Sequence, residues 1–198
     1  MHLSPSRGRV LHPPVLAIVI ALLAAAALVE TASARAQSTP KGGTIMAFAI
    51  HSPDFASGAE IPRAFTCSGE DRSPALEWKD VPEGTKAFAL IADDPDAPVG
   101  TWVHWVIFNI PGSARALKSG VEKKELLADG TRQGRNDFRK TGYNGPCPPA
   151  GKPHRYFFKL YALSADLKLA PGASKADVEQ AMQGQILGRA EWMGRYQR

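Results

Sequence analysis

Two short segments, about forty residues apart, hold most of the side chains in this chain that could do chemistry. The first is Asp93-Asp94-Pro95-Asp96-Ala97-Pro98, which runs into Trp102-Val103-His104-Trp105. The second is Gly142-Tyr143-Asn144-Gly145-Pro146-Cys147-Pro148-Pro149, which runs into His154-Arg155-Tyr156. Each joins a Pro/Gly turn to a hydrophobic strand carrying a histidine. A pair of histidines can hydrogen-bond a phosphate, and imidazole gains charge readily near neutral pH. Tyr156 adds a hydroxyl, Trp102 an apolar wall, and the backbone N–H groups around Gly145 a candidate anion nest. Carboxylates repel phosphate, so Asp94 either orients a histidine from behind or caps its own turn, and Asp96 reads as a turn residue.

Catalytic readings find less support. No Gly-x-Ser-x-Gly elbow occurs. Cys147 with His104 or His154 would make a thiol nucleophile and base, but Cys147 sits among prolines. Asp94, His104 and His154 have ligand chemistry for a metal, yet no close motif such as His-Glu-x-x-His is present. The residues therefore point to binding, with no metal and no cofactor.

These groups must be positioned by strands. Residues 44–50, 75–79, 86–92, 102–110 and 155–163 read as strands, and Pro and Gly punctuate the gaps. The 86–92 run is almost wholly apolar, the pattern of a strand buried on both faces. Side chains alternate along a strand, so His104 should share a face with Trp102, Val106 and Phe108, and His154 with Tyr156, Phe158 and Leu160. Ser174 followed by Asp177 predicts a capped helix start. The stripe Val178, Ala181, Met182 and Ile186 extends that helix towards Gly188. Residues 121–128 read as a shorter helix and 189–196 as a last strand. This β-rich order lacks the strand–helix alternation of a doubly wound fold.

Residues 1–36 read as a cleaved signal peptide: Arg7 and Arg9, an apolar run from Val15 to Val29, then Ala34-Arg35-Ala36. Fifteen apolar residues are short of the ~20 that a membrane span needs, so no transmembrane segment is expected in the mature chain. Cleavage before Gln37 leaves 162 of 198 residues and lowers the net charge from +5 to +3. Residues 37–43 read as a flexible lead-in and 44–198 as one domain, long enough to bury a core. The expected location is the periplasm or the outside of the cell. Cys67 and Cys147 can bridge in that oxidising setting; two free buried thiols are the alternative. The basic residues are scattered, with a loose cluster from Arg132 to Lys140, which argues against nucleic acid as a partner.

Both segments resemble the two signature regions of the phosphatidylethanolamine-binding protein family, in its bacterial, Raf kinase inhibitor-like branch. The residues that carry the likeness are Asp94 to Pro98 with Trp102-Val103-His104, and Gly142 to Pro149 with His154-Arg155-Tyr156. Phe65-Thr66-Cys67-Ser68-Gly69, Ser73-Pro74-Ala75-Leu76, Gln133 to Phe138 and Gly188-Arg189-Ala190-Glu191 extend it from about residue 44 to the C-terminus. The resemblance implies a mainly β fold, with a large central antiparallel sheet, a smaller sheet packed on it and a few peripheral helices. It implies a pocket for a phosphate-like anion or phospholipid headgroup at the end of the central sheet. Asp94, His104, Gly145, Pro146, His154 and Tyr156 match its pocket residues, with Pro98 and Trp102 in support. It also implies action by binding, including inhibition of a protease or kinase partner, and leaves a homodimer open. With the resemblance, Cys147 reads as a tether to Cys67. Val103 stands where eukaryotic members carry a second histidine, and Cys147 and extra prolines occupy the second turn.

Overall fold

Strand pairing, set by the apolar runs, organises the protein. A computed structural model describes residues 47–198. The signal peptide, the lead-in and the first three residues of the 44–50 strand lie outside the described residues. Within them are β1 (Ala49–His51), β2 (Leu76–Lys79), β3 (Ala87–Asp94), β4 (Trp102–Pro111), β5 (Ala116–Leu117), β6 (Arg132–Gln133), β7 (His154–Leu163), α1 (Lys175–Ala181) and β8 (Ile186–Tyr196). They form two antiparallel sheets, β1-β2-β5 and β6-β4-β3-β7-β8. This is the mainly β architecture expected. Among the described residues, no helix is long and apolar enough to cross a membrane.

β3 is central and every one of its residues is buried, which explains its unbroken apolar run. Phe88, Leu90 and Ala92 face the core shared with the small sheet, beside Trp78, Trp105, Ile107, Phe158 and Leu160. Ala89 and Ile91 face the opposite side, where Val106, Phe108, Leu163, Val178 and Met182 pack under α1. Asp93 also lies on that side, fully buried. Its carboxylate accepts from Lys159 Nζ on β7 (2.7 and 3.0 Å) and from Lys175 Nζ on α1 (2.6 Å), so one buried charge pins the helix to the sheet.

Three sequence expectations need correction. Face alternation fails along β4: Ala92 pairs with Trp105 but Asp93 pairs with Val103, leaving His104 as an extra, unpaired residue. This bulge puts His104 and Trp105 on one side and sends Val106 and Phe108 to the other. The predicted long helix stops early. Its Ser174–Asp177 capping box forms, but the helix ends at Ala181, and Ile186 opens β8. The apolar stripe thus runs from the helix through its C-cap at Met182 into the first residue of a strand. Residues 121–128 hold no helix. The Gln133 side chain donates to the carbonyls of Glu122 (2.6 Å) and Lys124 (2.7 Å), and the Gln133 N–H to Glu125, holding this segment extended along β6.

Candidate functional site

At one end of the large sheet, the last residue of β3 and the first residues of β4 and β7 meet. Asp94, His154 and Tyr156 line a cavity of about 180 Å³ together with His104, Trp102 and Pro98. Pairing of β3 with both β4 and β7 makes this convergence. The imidazole of His104 stands edge-on to the Tyr156 ring, with centroids 5.2 Å apart.

Asp94 takes both roles left open by the sequence. Its Oδ1 accepts the Asp96 N–H at 2.8 Å, closing the turn, and its Oδ2 accepts His154 Nδ1–H at 2.7 Å. Both side chains are largely buried, at 4% and 12% exposure. The turn is held again by Asp96. Its carboxylate accepts from Arg155 Nε (2.8 Å), Nη2 (2.7 Å) and backbone N–H (2.9 Å). The Arg155 guanidinium holds the Asp96 carboxyl at about 2. Asp96 is therefore more than a turn former: it fixes the β3–β4 turn onto β7.

His104 is clamped by the second turn. Its Nδ1 lies 2.6 Å from the Asn144 carbonyl oxygen, and its own carbonyl accepts the Asn144 N–H at 3.0 Å. Burial pushes the His104 imidazole below its ordinary value, outweighing the Asn144 carbonyl and the Asp94 charge that pull it up. The Tyr156 hydroxyl is buried beside the Asp94 carboxylate but makes no hydrogen bond of full geometry among the described residues. Burial, then the nearby Asp94 charge, pushes its pKa up, so it stays a protonated donor.

Gly145 and Pro146 do not line the cavity, and the expected nest at Gly145 does not form. Its N–H donates to Asp71 Oδ1 at 2.6 Å. A Cβ at Gly145 would lie 2.2 Å from the Phe65 carbonyl oxygen, so glycine is required there for close approach. Asp71 also accepts from Asn144 Nδ2 at 3.1 Å and Lys123 Nζ at 2.8 Å. This carboxylate, absent from the sequence reading, sets the turn that holds His104. Cys67 and Cys147 are bridged, with Cα atoms 5.4 Å apart, and Cys147 forms part of the cavity wall beside Pro148 and Pro149.

Phe138 was also missed as a site residue. It stands edge-on to Trp102 (5.4 Å) and His104 (5.2 Å) and closes one side of the cavity. A tight turn presents it: Arg139 N–H donates to the Asn136 carbonyl, with Arg139 at φ +60°. Asp137 anchors that turn on β4 through both Val103 N–H (2.7 Å) and Val103 carbonyl (3.0 Å). The only sequence signal for Phe138 was its place in the Gln133–Phe138 motif. Among the described residues, no group of three or more His, Cys, Asp or Glu side chains is arranged to hold a metal.

The chain matches the family model for phosphatidylethanolamine-binding protein over residues 51–197. A UPF0098 protein of Aquifex aeolicus is 52% identical over 159 residues, covering 79% of this chain and 91% of that one. Another, from Methanothermobacter thermautotrophicus, is 53% identical over 144 residues, covering 73% and 95%. Among solved structures, Escherichia coli YbcL, described as a new member of the mammalian PEBP family, matches with a TM-score of 0.72 at 35% identity, covering 77% of this chain and 99% of YbcL. The PEBP homologue CT736 of Chlamydia trachomatis matches at 0.70 and 36% identity, covering 77% and 98%. The matched stretch takes in both turn-and-strand segments, the disulfide and Phe138. With fold, site and sequence in agreement, the chain belongs to the phosphatidylethanolamine-binding protein family.

Proposed function

We propose that the cavity binds a small phosphate-type anion, free or as the headgroup of a phospholipid, and that the protein acts by binding rather than by turnover. The observation that carries this is the set of unspent polar atoms. Each histidine has its Nδ1 engaged, by Asn144 and by Asp94, so each has Nε2 left for a ligand, and the Tyr156 hydroxyl awaits a partner. A buried hydroxyl without a partner costs stability that a ligand would restore. The rim is apolar, with Ala97, Val99, Phe138, Pro148 and Pro149, and suits the organic part of a phosphoester. Binding without turnover is supported by the lining, which has no Ser or Thr, and by Cys147, whose sulfur is bonded to Cys67.

Calorimetry with phosphorylethanolamine tests the reading. Saturable heat is expected for the mature protein, and none for His154→Ala. No heat from the intact protein would overturn it.

A second reading, inhibition of a protease or kinase partner, is favoured by Val99, an aliphatic side chain 78% exposed on the cavity rim. It requires that Val99→Asp abolish inhibition of a purified partner, while His154→Ala, which removes the phosphorylethanolamine heat, leaves that inhibition intact. Export to the periplasm or beyond fits both readings, supported by the leader sequence and by a disulfide of the kind that persists in oxidising compartments.

A further inference from the structure

An anion entering this cavity meets no lysine or arginine among the lining residues. Its charge has to be met by histidines, a tyrosine and whatever protons come with it. The proton positions follow from the fixed partners. The Asn144 carbonyl oxygen can only accept, and it lies 2.6 Å from His104 Nδ1, so the ring proton resides on Nδ1. Nε2 of the neutral ring is then a bare lone pair. His154 follows the same logic: its Nδ1 lies 2.7 Å from the Asp94 carboxylate and carries the proton. The buried Tyr156 hydroxyl is a donor without an acceptor. With the buried His104 ring neutral, the cavity sets the Tyr156 donor beside a bare lone pair on His104 Nε2, with the Asp94 carboxylate behind them.

Such a lining does not suit a fully ionised anion. The charged and titratable groups around His104 are Asp94 on β3, His154 and Tyr156 on β7, and Asp137 in the loop after β6. The two carboxylates repel negative charge, and burial resists protonation of His104. Resting on the anion reading above, we propose that the cavity selects an oxyanion that brings its own proton. That ligand is a monoanionic phosphate or phosphomonoester, its P–OH donating to His104 Nε2 and one P–O oxygen accepting from Tyr156. Sulfate, with no proton to give, is rejected although its size and shape are nearly the same. A site built around a hydrogen bond discriminates strongly against a ligand that cannot make it.

The proposal predicts proton uptake. A phosphomonoester has its second pKa near ~6, so it is mostly a dianion above neutrality and must gain a proton to bind in this form. The test is calorimetry on the mature, oxidised chain at about pH 7.5, with inorganic phosphate, methyl phosphate and sulfate, in two buffers of different ionisation heat. Both phosphates should bind, sulfate at least about tenfold more weakly, and the buffer difference should report about one proton taken up per methyl phosphate bound, and less per inorganic phosphate, which is already partly the monoanion at this pH. Tyr156→Phe should weaken phosphate about tenfold while leaving that proton uptake in place. At about pH 5, where a phosphomonoester is already mostly the monoanion, the buffer difference should largely vanish while the preference over sulfate persists. Near neutrality, sulfate binding within about threefold of phosphate would overturn the proposal, as would equal heats in both buffers. The wild-type comparison needs no buried substitution, so folding of a variant does not enter it. If none of the three anions binds at either pH, the anion reading itself fails and this one falls with it.

Discussion

The side chains that meet in the cavity were largely legible because each sits beside a turn that the sequence announces. Asp94, His104, His154 and Tyr156 flank Pro/Gly punctuation and carry polar groups on apolar strands. Asp71 and Phe138 were not legible as site residues: one is a lone acid in a loop, the other a lone aromatic, and only the folded chain brings them to His104. Asp94→Asn removes the carboxylate that orients His154, so phosphorylethanolamine affinity should fall about tenfold in calorimetry. The buried His104 gives the folded protein a pH dependence. Its folded pKa lies below the ordinary 6.5, so below that value the unfolded chain binds the extra proton. Stability should therefore fall as pH drops through 6.5 and level off below the folded pKa. Denaturant melts of ligand-free protein across this window check it, and His104→Gln should flatten the slope. Asp96 works in a lower window. Held at about 2 by Arg155, it stabilises the fold above the ordinary 3.8 and loses that contribution as pH falls towards 2. It is exposed enough to solvent that the effect should stay below ~1 kcal/mol.

At the scale of elements, strands read from apolar runs agreed well with β2, β3, β4 and β7, since burial on both faces leaves a continuous signature. What failed was periodicity where the backbone breaks its own period. The bulge at His104 adds a residue and inverts the faces beyond it, and no single residue type marks such a site. The late stripe ran on through Met182 to Ile186 because an apolar side chain serves a helix and a strand alike. The Ser174–Asp177 box survived because capping depends on four adjacent residues only; Ser174→Ala should cost about 1 kcal/mol. Asp93 links the elements. Its partners Lys159 and Lys175 reach it from β7 and α1, so Lys159→Met with Lys175→Met leaves a buried carboxylate uncompensated. That double variant should lose about 3 kcal/mol or more in chemical denaturation, and restoring a neutral site with Asp93→Asn should recover part of it.

For the whole molecule, one fold joins distant parts of the sequence at one cavity. The second turn is bound to the loop at Cys67 by the disulfide, by the Cys67 N–H to the Pro146 carbonyl (3.1 Å), and by Asp71. With the cysteines 80 positions apart in the sequence, Cys67→Ser with Cys147→Ser should cost ~4 kcal/mol in the chain-entropy account, read as a lower denaturant midpoint that added reductant does not lower further. Export predicts that intact-mass analysis of the processed protein finds a chain starting at Gln37, with 162 residues. The central claim is that His104 and His154 meet the same anion. Nitrogen NMR of the imidazoles during a phosphate titration tests it most directly. Both Nε2 resonances should move and saturate with one shared Kd, while both Nδ1 atoms stay protonated and the remote His51 does not respond. If only one of the two rings moves, or neither does, the account of this cavity as a shared anion site is wrong.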